Sequence, residues 1–209
     1  MKNSIRITGG EFGSRTIATP GGDTHPMGDR ERLAIFNSLA DTIHDARVLD
    51  MFAGSGALGI EALSRGAKSV VFVDNSKVAR EVIKENVERL GKAGKSSILS
   101  SIFAYEQNET RKPVTFEPAS EASNGTRPPE ESGLENDDFP SFDLIFADPP
   151  YGADLAKLEI AKLTSYLAND GTLVLSTAKS TDIDNLFSDM QKFSDKTYAR
   201  ARITMWRRS

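Results

Sequence analysis

Residues 48–59 read VLDMFAGSGALG, a short apolar run followed by a loop that contains three glycines. Gly54, Gly56 and Gly59 stand in the arrangement G-x-G-x-x-G, after a predicted strand and before a predicted helix. Glycines at these positions allow a tight turn and a close approach of the backbone to a ligand at the helix N-terminus. The stretch therefore predicts a nucleotide-binding strand–loop–helix unit, although the spacing alone does not decide which nucleotide is bound.

Asp50 distinguishes between the candidate ligands. It lies at the end of the strand, four residues before Gly54, where a dinucleotide-binding loop usually has an apolar residue. A carboxylate here can accept a hydrogen bond from a cationic amine, such as that of S-adenosylmethionine, whereas it would repel the pyrophosphate of NAD(P). Asp50 therefore favours S-adenosylmethionine.

Strand and helix patterns alternate around this loop. Strands are predicted at 47–52, 69–74, 96–103, 142–151, 171–177 and 197–206, and helices at 56–66, 76–91, 154–167 and 182–193. This alternation is typical of an α/β fold with a mostly parallel sheet and right-handed crossovers. The last two strands are expected to form an antiparallel pair at one edge.

The N-terminal part has a different pattern. Residues 4–20 predict a small β-hairpin around a glycine turn. A helix is then expected to open near Asp29 and to place Leu33, Phe36, Leu39 and Ile43 on one face. We divide the chain into a hairpin and loop at 1–28 and a main domain at 29–209.

Charge is distributed unevenly along the 209 residues. The formal net charge is −4, but residues 106–138 hold nine acidic and three basic residues, so the remainder is mildly basic. This segment has few large apolar side chains, and it predicts a flexible acidic surface insert. The chain has no cysteine, and its two histidines, His25 and His44, are far apart, which argues against a metal centre. With no membrane-length apolar run and no signal sequence, we expect a cytoplasmic protein.

Asp74 ends the strand after the glycine loop. A carboxylate at this place can accept hydrogen bonds from both ribose hydroxyls of a nucleoside. The alternative is a structural role as the N-cap of the following helix, for which Ser76 is the rival. Asp74 indicates a nucleoside but does not distinguish one from another.

Residues 142–152 read FDLIFADPPYG and raise the question of why a buried strand ends on a carboxylate. Pro149 and Pro150 lack an N–H and fix the backbone, so we expect their carbonyls to be unopposed acceptors. Asp148 and the Pro149 carbonyl could together hold a planar amine, and Tyr151 offers a face on which a base can stack. The alternative is a proline-rich turn without a catalytic role.

These motifs carry a resemblance to a known family. The stretches at 50–67 and 143–151, with Asp74, resemble class I S-adenosylmethionine-dependent methyltransferases that methylate amino groups. The stretches at 5–17 and 25–37 are similar to the RsmD family, which methylates guanine N2 in 16S ribosomal RNA. The resemblance implies a Rossmann-like, seven-stranded, mostly parallel sheet with an antiparallel edge strand, and guanine 966 in the usual rRNA numbering as the target.

The resemblance also assigns residues to roles. Ser101 stands where an acid near the adenine is common in the family. The predicted catalytic residues are Asp148, Pro149, Pro150 and Tyr151. The predicted cofactor residues are Asp50, Phe52, Ala53, Gly54, Ser55, Gly56, Asp74, Asn75, Ser101 and Asp148. The predicted RNA contacts are Arg6, Arg15, Arg30, Arg32, Asn37, Arg200 and Arg202, for each of which a solvated surface side chain is the alternative.

We expect the partner to be 16S rRNA within a small-subunit particle or an assembly intermediate, and the protein to be monomeric, without a metal or a membrane. Three alternatives remain open. They are a methyltransferase for another nucleic-acid base or for protein glutamine, an NAD-dependent oxidoreductase, and a non-catalytic RNA-binding protein for ribosome assembly.

Overall fold

The structure, a computed structural model, describes residues 4–21, 27–102, 141–151, 153–154, 160–183, 186–198 and 201–208. The predicted acidic insert at 106–138 lies outside these residues. The strands are β1 Ser4–Arg6, β2 Thr16–Ala18, β3 Arg47–Met51, β4 Ser69–Val73, β5 Ser96–Leu99, β6 Phe142–Ala147, β7 Leu167–Ala178, β8 Met190–Thr197 and β9 Ala201–Arg208. The α-helices are α1 Asp29–Ser38, α2 Ala57–Ser64 and α3 Lys77–Arg89, and short 3₁₀ helices cover Ala93–Lys95 and Ile160–Tyr166.

Seven strands form one sheet in the order β5-β4-β3-β6-β7-β9-β8. The strands from β5 to β7 are parallel, and β9 runs antiparallel to both β7 and β8. This confirms the mostly parallel seven-stranded sheet with its antiparallel strand at one end. The strand order reverses at β3, since β4 and β5 lie on one side of it and β6 and β7 on the other, so the carboxyl ends of β3, β4 and β6 meet at the switch point where ligands bind in open α/β sheets.

Buried apolar side chains form a layer on each face of the sheet, because successive residues of a strand point to opposite faces. One layer packs Val48, Val70 and Phe146 against the helices α1, α2 and α3. The other packs Leu49, Val71 and Ile145 against the 3₁₀ helix Ile160–Tyr166 and residues before β8. Within the described ranges, no helix is long and apolar enough to cross a membrane.

The N-terminal hairpin is confirmed as an antiparallel pair, with Ile5 opposite Ile17. Both side chains belong to the apolar layer that covers α2 and α3. The buried carboxylate of Glu61 in α2 accepts the backbone N–H and the hydroxyl of Thr8, each at 2.7 Å. The hairpin therefore packs directly on the main domain through a shared core.

The predicted apolar face of α1 is wrong at one residue, Leu33. Leu33 is 43% exposed, whereas Arg32, Ile35 and Phe36 are buried. The helix ends at Ser38, so the buried Leu39 and Ile43 follow it rather than continue it. Helical spacing places Arg32 on the inner face with Ile35 and Phe36, whereas the sequence pattern predicts Leu33 there.

The helix predicted at 182–193 is also wrong. Residues 182–183 and 186–189 are not helical, and β8 begins at Met190. The strand predicted at 197–206 begins only at Ala201, after a turn in which the Tyr198 N–H donates to the Ala201 carbonyl at 2.7 Å. Residues Met190–Thr197 form a strand because they pair with β9 along their whole length, although β8 is mostly exposed and has no strong strand pattern. Of the helix predicted at 154–167, residues 160–166 are 3₁₀ helix.

Candidate active site

The glycine loop between β3 and α2 has an unusual backbone. Phe52, Gly54 and Gly56 have positive φ angles of 60°, 56° and 77°. Gly56 is the N-cap of α2, and its N–H donates to the Ala53 carbonyl at 2.7 Å. Glycine adopts these angles without steric penalty, so two of the three positive-φ positions of this loop are glycine and the third is a strained Phe52.

Gly54 and Gly59 serve different purposes. A Cβ on Gly54 would meet no atom nearer than the Phe52 carbonyl oxygen at 3.9 Å, so this glycine borders open space. A Cβ on Gly59 would lie 2.4 Å from the Phe72 ring and 2.7 Å from Val70. Gly54 thus leaves room for a ligand, and Gly59 lets α2 pack closely on β4.

Asp50 lies beneath the loop and is 1% exposed. Its carboxylate accepts the Gly59 N–H at 2.9 Å, which fixes the first turn of α2 to β3. Burial raises the pKa of Asp50 well above its usual range, with the Gly59 hydrogen bond opposing and the charges of Asp148 and Asp74 adding to the rise. The predicted contact of Asp50 with a ligand amine stays a prediction, because its observed partner is the backbone.

Asp74 lies at the end of β4 and faces the glycine loop. One carboxylate oxygen accepts the Gly54 N–H and the other accepts the Ser76 N–H, each at 2.8 Å. The N-cap of α3 is Ser76, whose hydroxyl accepts the Ala79 N–H at 3.3 Å. The capping role weighed for Asp74 thus belongs to Ser76, and Asp74 is half-buried at the mouth of the loop.

The DPPY motif follows β6 directly, at the same edge of the sheet. The Asp148 N–H lies 3.5 Å from the Met51 carbonyl of β3, so the motif stands beside the glycine loop. Pro149 is buried, and no described residue donates a hydrogen bond to its carbonyl. The expectation of two unopposed proline carbonyls is wrong for Pro150, which accepts the Ala153 N–H at 3.0 Å in a turn. Tyr151 is 47% exposed and presents its ring to solvent.

Burial raises the pKa of Asp148 to about 6, and the Ser176 hydroxyl opposes this rise. The pKa of the Tyr151 hydroxyl is raised by burial of that group, and the charges of Asp148 and of Glu31 in α1 add to the rise. Ser176 lies on β7, one residue after the Leu175 that pairs with Ala147. Sequence reasoning missed Ser176, and its only signal was a hydroxyl inside the apolar run LVLST.

Asn86 is a second residue that sequence reasoning missed. It is 1% exposed in α3, and its amide donates to the carbonyls of Ala18 at 3.0 Å and Ser55 at 3.1 Å. The same side chain accepts the Ala18 N–H at 2.9 Å. Asn86 therefore connects the hairpin to the glycine loop.

The cleft between β3, β4 and β6 combines Asp50, Asp74 and Asp148 with an open Gly54. S-adenosylmethionine, the cofactor of class I methyltransferases, carries a sulfonium and an ammonium group, so it suits an acidic cleft better than an anionic dinucleotide does. Asp74 keeps lone pairs for ribose hydroxyls, and the loop backbone allows close approach of the ligand. Asn75 is exposed and Ser101 is partly exposed just after β5, so both lie at the same edge of the sheet. The residues present therefore fit this cofactor.

Two of the predicted RNA contacts line a cavity of about 380 Å³ between the hairpin and α1, whose lining residues are Arg6, Ile7, Thr8, Ser14, Asp29, Arg30 and Leu33. Arg6 and Arg30 contribute to its wall, and Arg15 lies nearby on the hairpin with its guanidinium 5.4 Å from the Phe12 ring centre. Asn37 is exposed on the same helix.

Three predicted RNA contacts are engaged within the protein, and the first of them, Arg6, forms an exposed ion pair with Asp29 at 3.3 Å. The side chain of Arg32 is 2% exposed, and its guanidinium donates to Met27 O at 2.6 Å, Arg6 O at 2.7 Å and Asp29 Oδ1 at 2.6 Å. Arg32 therefore has a structural role in the described structure, and its RNA contact stays a prediction. Arg202 donates to both oxygens of Asp195, at 2.9 and 2.7 Å, which neutralises its charge at the β9 edge. Arg200 lies outside the described residues.

Comparison with known proteins identifies the family of this chain. The profile of a family described as "Conserved hypothetical protein 95" matches residues 5–117 and 124–207. The Ribosomal RNA small subunit methyltransferase D of Haemophilus influenzae is 30% identical over 85% of this chain and 81% of its own length. The chain belongs to the RsmD family.

Other relatives extend the similarity to nearly the full chain. A putative rRNA methyltransferase of Bacillus subtilis, YlbH, is 27% identical over 97% of both chains. The solved structure of the putative methyltransferase yhhF from Escherichia coli matches with a TM-score of 0.75 and 26% identity over 99% of both chains. The 16S rRNA N2 G1207 methyltransferase of Thermus thermophilus shares the fold, with a TM-score of 0.65 and 17% identity over 100% of this chain and 50% of that chain.

Proposed function

We propose that this RsmD-family protein transfers a methyl group from S-adenosylmethionine to the exocyclic N2 of a guanine in 16S ribosomal RNA, guanine 966 by resemblance. The observation that carries the proposal is the place of DPPY, which lies beside the glycine loop with Asp148 next to β3. An acceptor for a planar amine thus adjoins a site that fits a methyl donor. Family membership supports ribosomal RNA as the substrate.

Asp148 and the Pro149 carbonyl each accept one N–H of the target amine. This arrangement favours the tetrahedral geometry that the amine adopts as its lone pair attacks a methyl group. S-adenosylmethionine supplies an electrophilic methyl group when it is bound. The nitrogen gains that methyl group and loses one proton, which leaves to Asp148 or to water.

The target base has to leave its stack, since its N2 cannot be reached while the guanine is stacked and paired. Tyr151 is exposed next to Asp148 and offers its ring for stacking. Glu31 of α1 is near enough to influence the Tyr151 hydroxyl, so α1 and the cavity beside it lie on the substrate side of the cleft. Arg6 and Arg30 in this cavity then contact phosphates that flank the extruded base.

Methyl transfer from radiolabelled cofactor tests the proposal. Free 16S RNA, small subunits and assembly intermediates, each from cells that lack this protein, are incubated with the enzyme and digested to nucleosides. We expect label in N2-methylguanosine, with loss of that label in Asp148→Ala. Label in another nucleoside would reject guanine N2 while keeping the site, and absence of label from every RNA would reject ribosomal RNA as the substrate.

The proposed state of the enzyme is a cytoplasmic monomer that acts on a small-subunit particle or an assembly intermediate. Light scattering during size exclusion should give a mass near 22.8 kDa for the free protein. Comparison of the three RNA substrates in the labelling experiment shows which one is methylated fastest.

A further inference from the structure

Ser176 carries a buried hydroxyl without a hydrogen bond to any described residue. The residue is 1% exposed, and its Oγ has essentially no accessible surface. Buried polar groups in proteins are normally paired, and an unpaired hydroxyl lowers stability. A serine at this position therefore calls for an explanation other than packing.

The sheet register places Ser176 beside the DPPY motif. Ala147 of β6 pairs with Leu175 of β7, so the next residues along the two parallel strands are Asp148 and Ser176. Phe146 and Val174, two residues earlier on each strand, share one apolar layer, so Ser176 and Asp148 point to the same face of the sheet. The Ser176 hydroxyl is close enough to influence both the Asp148 carboxyl and the Tyr151 hydroxyl.

We propose that Ser176 is a positioning residue of the acceptor site, whose hydroxyl donates to the Asp148 carboxylate when the target amine is bound and holds that carboxylate toward the amine. This rests on the proposed amino-methylation. Ser176 lies behind Asp148 and Tyr151 and does not itself touch the base, because its Oγ is covered. No hydrogen bond of good geometry joins its Oγ to another described residue, yet the hydroxyl lies close enough to Asp148 to favour the ionised carboxylate, so a small movement of Asp148 completes the hydrogen bond.

The charged surroundings explain why a donor is needed there. The charges of Asp148 and Asp74 both act on the buried Asp50 of β3, and Glu31 of α1 and Asp148 act on Tyr151, so the surroundings of Asp148 are acidic. Burial favours the neutral form of Asp148, while the Ser176 hydroxyl favours the ionised form. Ser176 thereby helps to keep Asp148 an acceptor at neutral pH.

Thr177 provides a matched control on the same strand. It is 3% exposed, and its hydroxyl also has no hydrogen bond to a described residue. It points to the opposite face of the sheet, because side chains alternate along a strand. A general effect of an unpaired buried hydroxyl would therefore be the same at both positions, and an effect on the acceptor site would be confined to Ser176.

The test compares Ser176→Ala, Ser176→Thr and Thr177→Val with the unmodified enzyme. Single-turnover methyl transfer is measured from pH 5 to 9, with cofactor affinity by calorimetry, melting temperature, and the Asp148 titration by NMR of the ¹³C-labelled carboxyl. For Ser176→Ala we expect a rate roughly 10- to 100-fold lower at pH 7, with unchanged cofactor Kd. We also expect an Asp148 midpoint above the unmodified one and a melting temperature that does not fall. Ser176→Thr should recover most of the rate, and Thr177→Val should keep it within about twofold.

Three results would overturn the proposal: a Ser176→Ala rate and Asp148 titration equal to those of the unmodified enzyme, the same rate loss in Ser176→Thr as in Ser176→Ala, or a lowered melting temperature that accounts for the loss. Failure of the proposed function is distinguishable from these. If the unmodified enzyme makes no N2-methylguanosine, the substrate assignment fails, while the NMR titration still reports whether Ser176 acts on Asp148.

Discussion

The carboxylate of Asp74 accepts the backbone N–H of Gly54 at 2.8 Å and so ties the end of β4 to the glycine loop that follows β3. The residue proposed to bind the ribose is thus also the residue that fixes the loop. Because its second oxygen accepts the Ser76 N–H at 2.8 Å, the carboxylate is held in one orientation. The two halves of the cofactor site are therefore coupled through a single side chain.

Replacement of Asp74 tests this coupling. In Asp74→Ala the loop loses a charged hydrogen bond and the ribose loses its acceptor. A hydrogen bond to a charged group contributes about 1.5–3 kcal/mol, so the Kd for S-adenosylmethionine should rise roughly 10- to 150-fold. Isothermal titration calorimetry measures the change. The control variant is Asp189→Asn, since Asp189 is an exposed acid just before β8 at the opposite edge of the sheet. Equal Kd values for the two variants would contradict the role of Asp74.

Two glycines of the loop should separate binding from stability. Gly59→Ala brings a methyl group to within 2.4 Å of the Phe72 ring, and such overpacking costs about 1–3 kcal/mol. The melting temperature should fall by roughly 3–10 °C. Gly54→Ala meets no close atom, and its cost is the strain of a φ of 56°, about 1–2 kcal/mol, so it should lower the melting temperature somewhat less and raise the cofactor Kd more. Calorimetric melting and titration of both variants check this, and the reverse ranking would refute it.

The pH dependence of methyl transfer should follow Asp148. Its pKa is raised to about 6 by burial, and the proposed chemistry needs the ionised form. The rate should therefore fall on the acid side with a midpoint near 6. In Asp148→Asn this limb should disappear, since an amide oxygen still accepts but does not titrate. A rate profile that is flat between pH 5 and 8 in the unmodified enzyme would exclude Asp148 as the controlling group.

The buried Asp148 carboxyl should make the fold less stable at neutral pH than at acidic pH. Its pKa is higher in the folded than in the unfolded protein, so the folded state holds the proton more tightly, and stability falls as pH rises through about 4 to 6. Asp148→Asn should therefore increase the free energy of unfolding at pH 7.5 by on the order of 1–2 kcal/mol, with a smaller gain at pH 4. Urea unfolding at both pH values measures the difference, and a larger gain at pH 4 would contradict it.

Tyr151 should contribute to substrate binding through its ring. Base–aromatic stacking is worth about 1–3 kcal/mol, so Tyr151→Ala should raise the KM for RNA roughly 5- to 150-fold. Tyr151→Phe keeps the ring and should stay close to the unmodified enzyme. Steady-state methylation assays over a range of RNA concentrations distinguish the two. An equal loss in both variants would assign the effect to the hydroxyl instead.

Arg30 and Arg32 are two positions apart in α1 and should behave oppositely. Arg30 is exposed beside the cavity, so Arg30→Ala should leave stability unchanged and reduce the salt dependence of RNA binding by about 0.7–0.9 in log–log slope. Arg32→Met removes three part-buried hydrogen bonds and leaves Asp29 with only its exposed ion pair to Arg6, which should lower the free energy of unfolding by about 3 kcal/mol. Filter binding at several salt concentrations and urea unfolding check the pair. A stable Arg32→Met with weakened RNA binding would support Arg32 as an RNA contact.

Sequence patterns predicted the parallel core well because the signals there are local. β3 and β4 are short apolar runs with an acid at or just after their carboxyl end, and the glycines that follow β3 allow a tight turn into α2. The prediction failed where long-range pairing outweighs local preference. The segment from Met190 to Thr197 has a mostly exposed strand pattern and becomes a strand by pairing with β9.

Several features of the site could be predicted from the order of residue types in the chain. An acid before the glycine loop, an acid after β4 and the DPPY motif after β6 all lie at carboxyl ends of parallel strands, and such ends meet at one edge of a sheet. Only the tertiary structure decided which polar groups already have hydrogen-bond partners within the protein. Arg32 is enclosed by three acceptors, and Asp50 is bound to Gly59, whereas the Ser176 hydroxyl lies unpaired beside Asp148. These distinctions depend on burial and on contacts between residues far apart in the chain, which residue order alone does not specify.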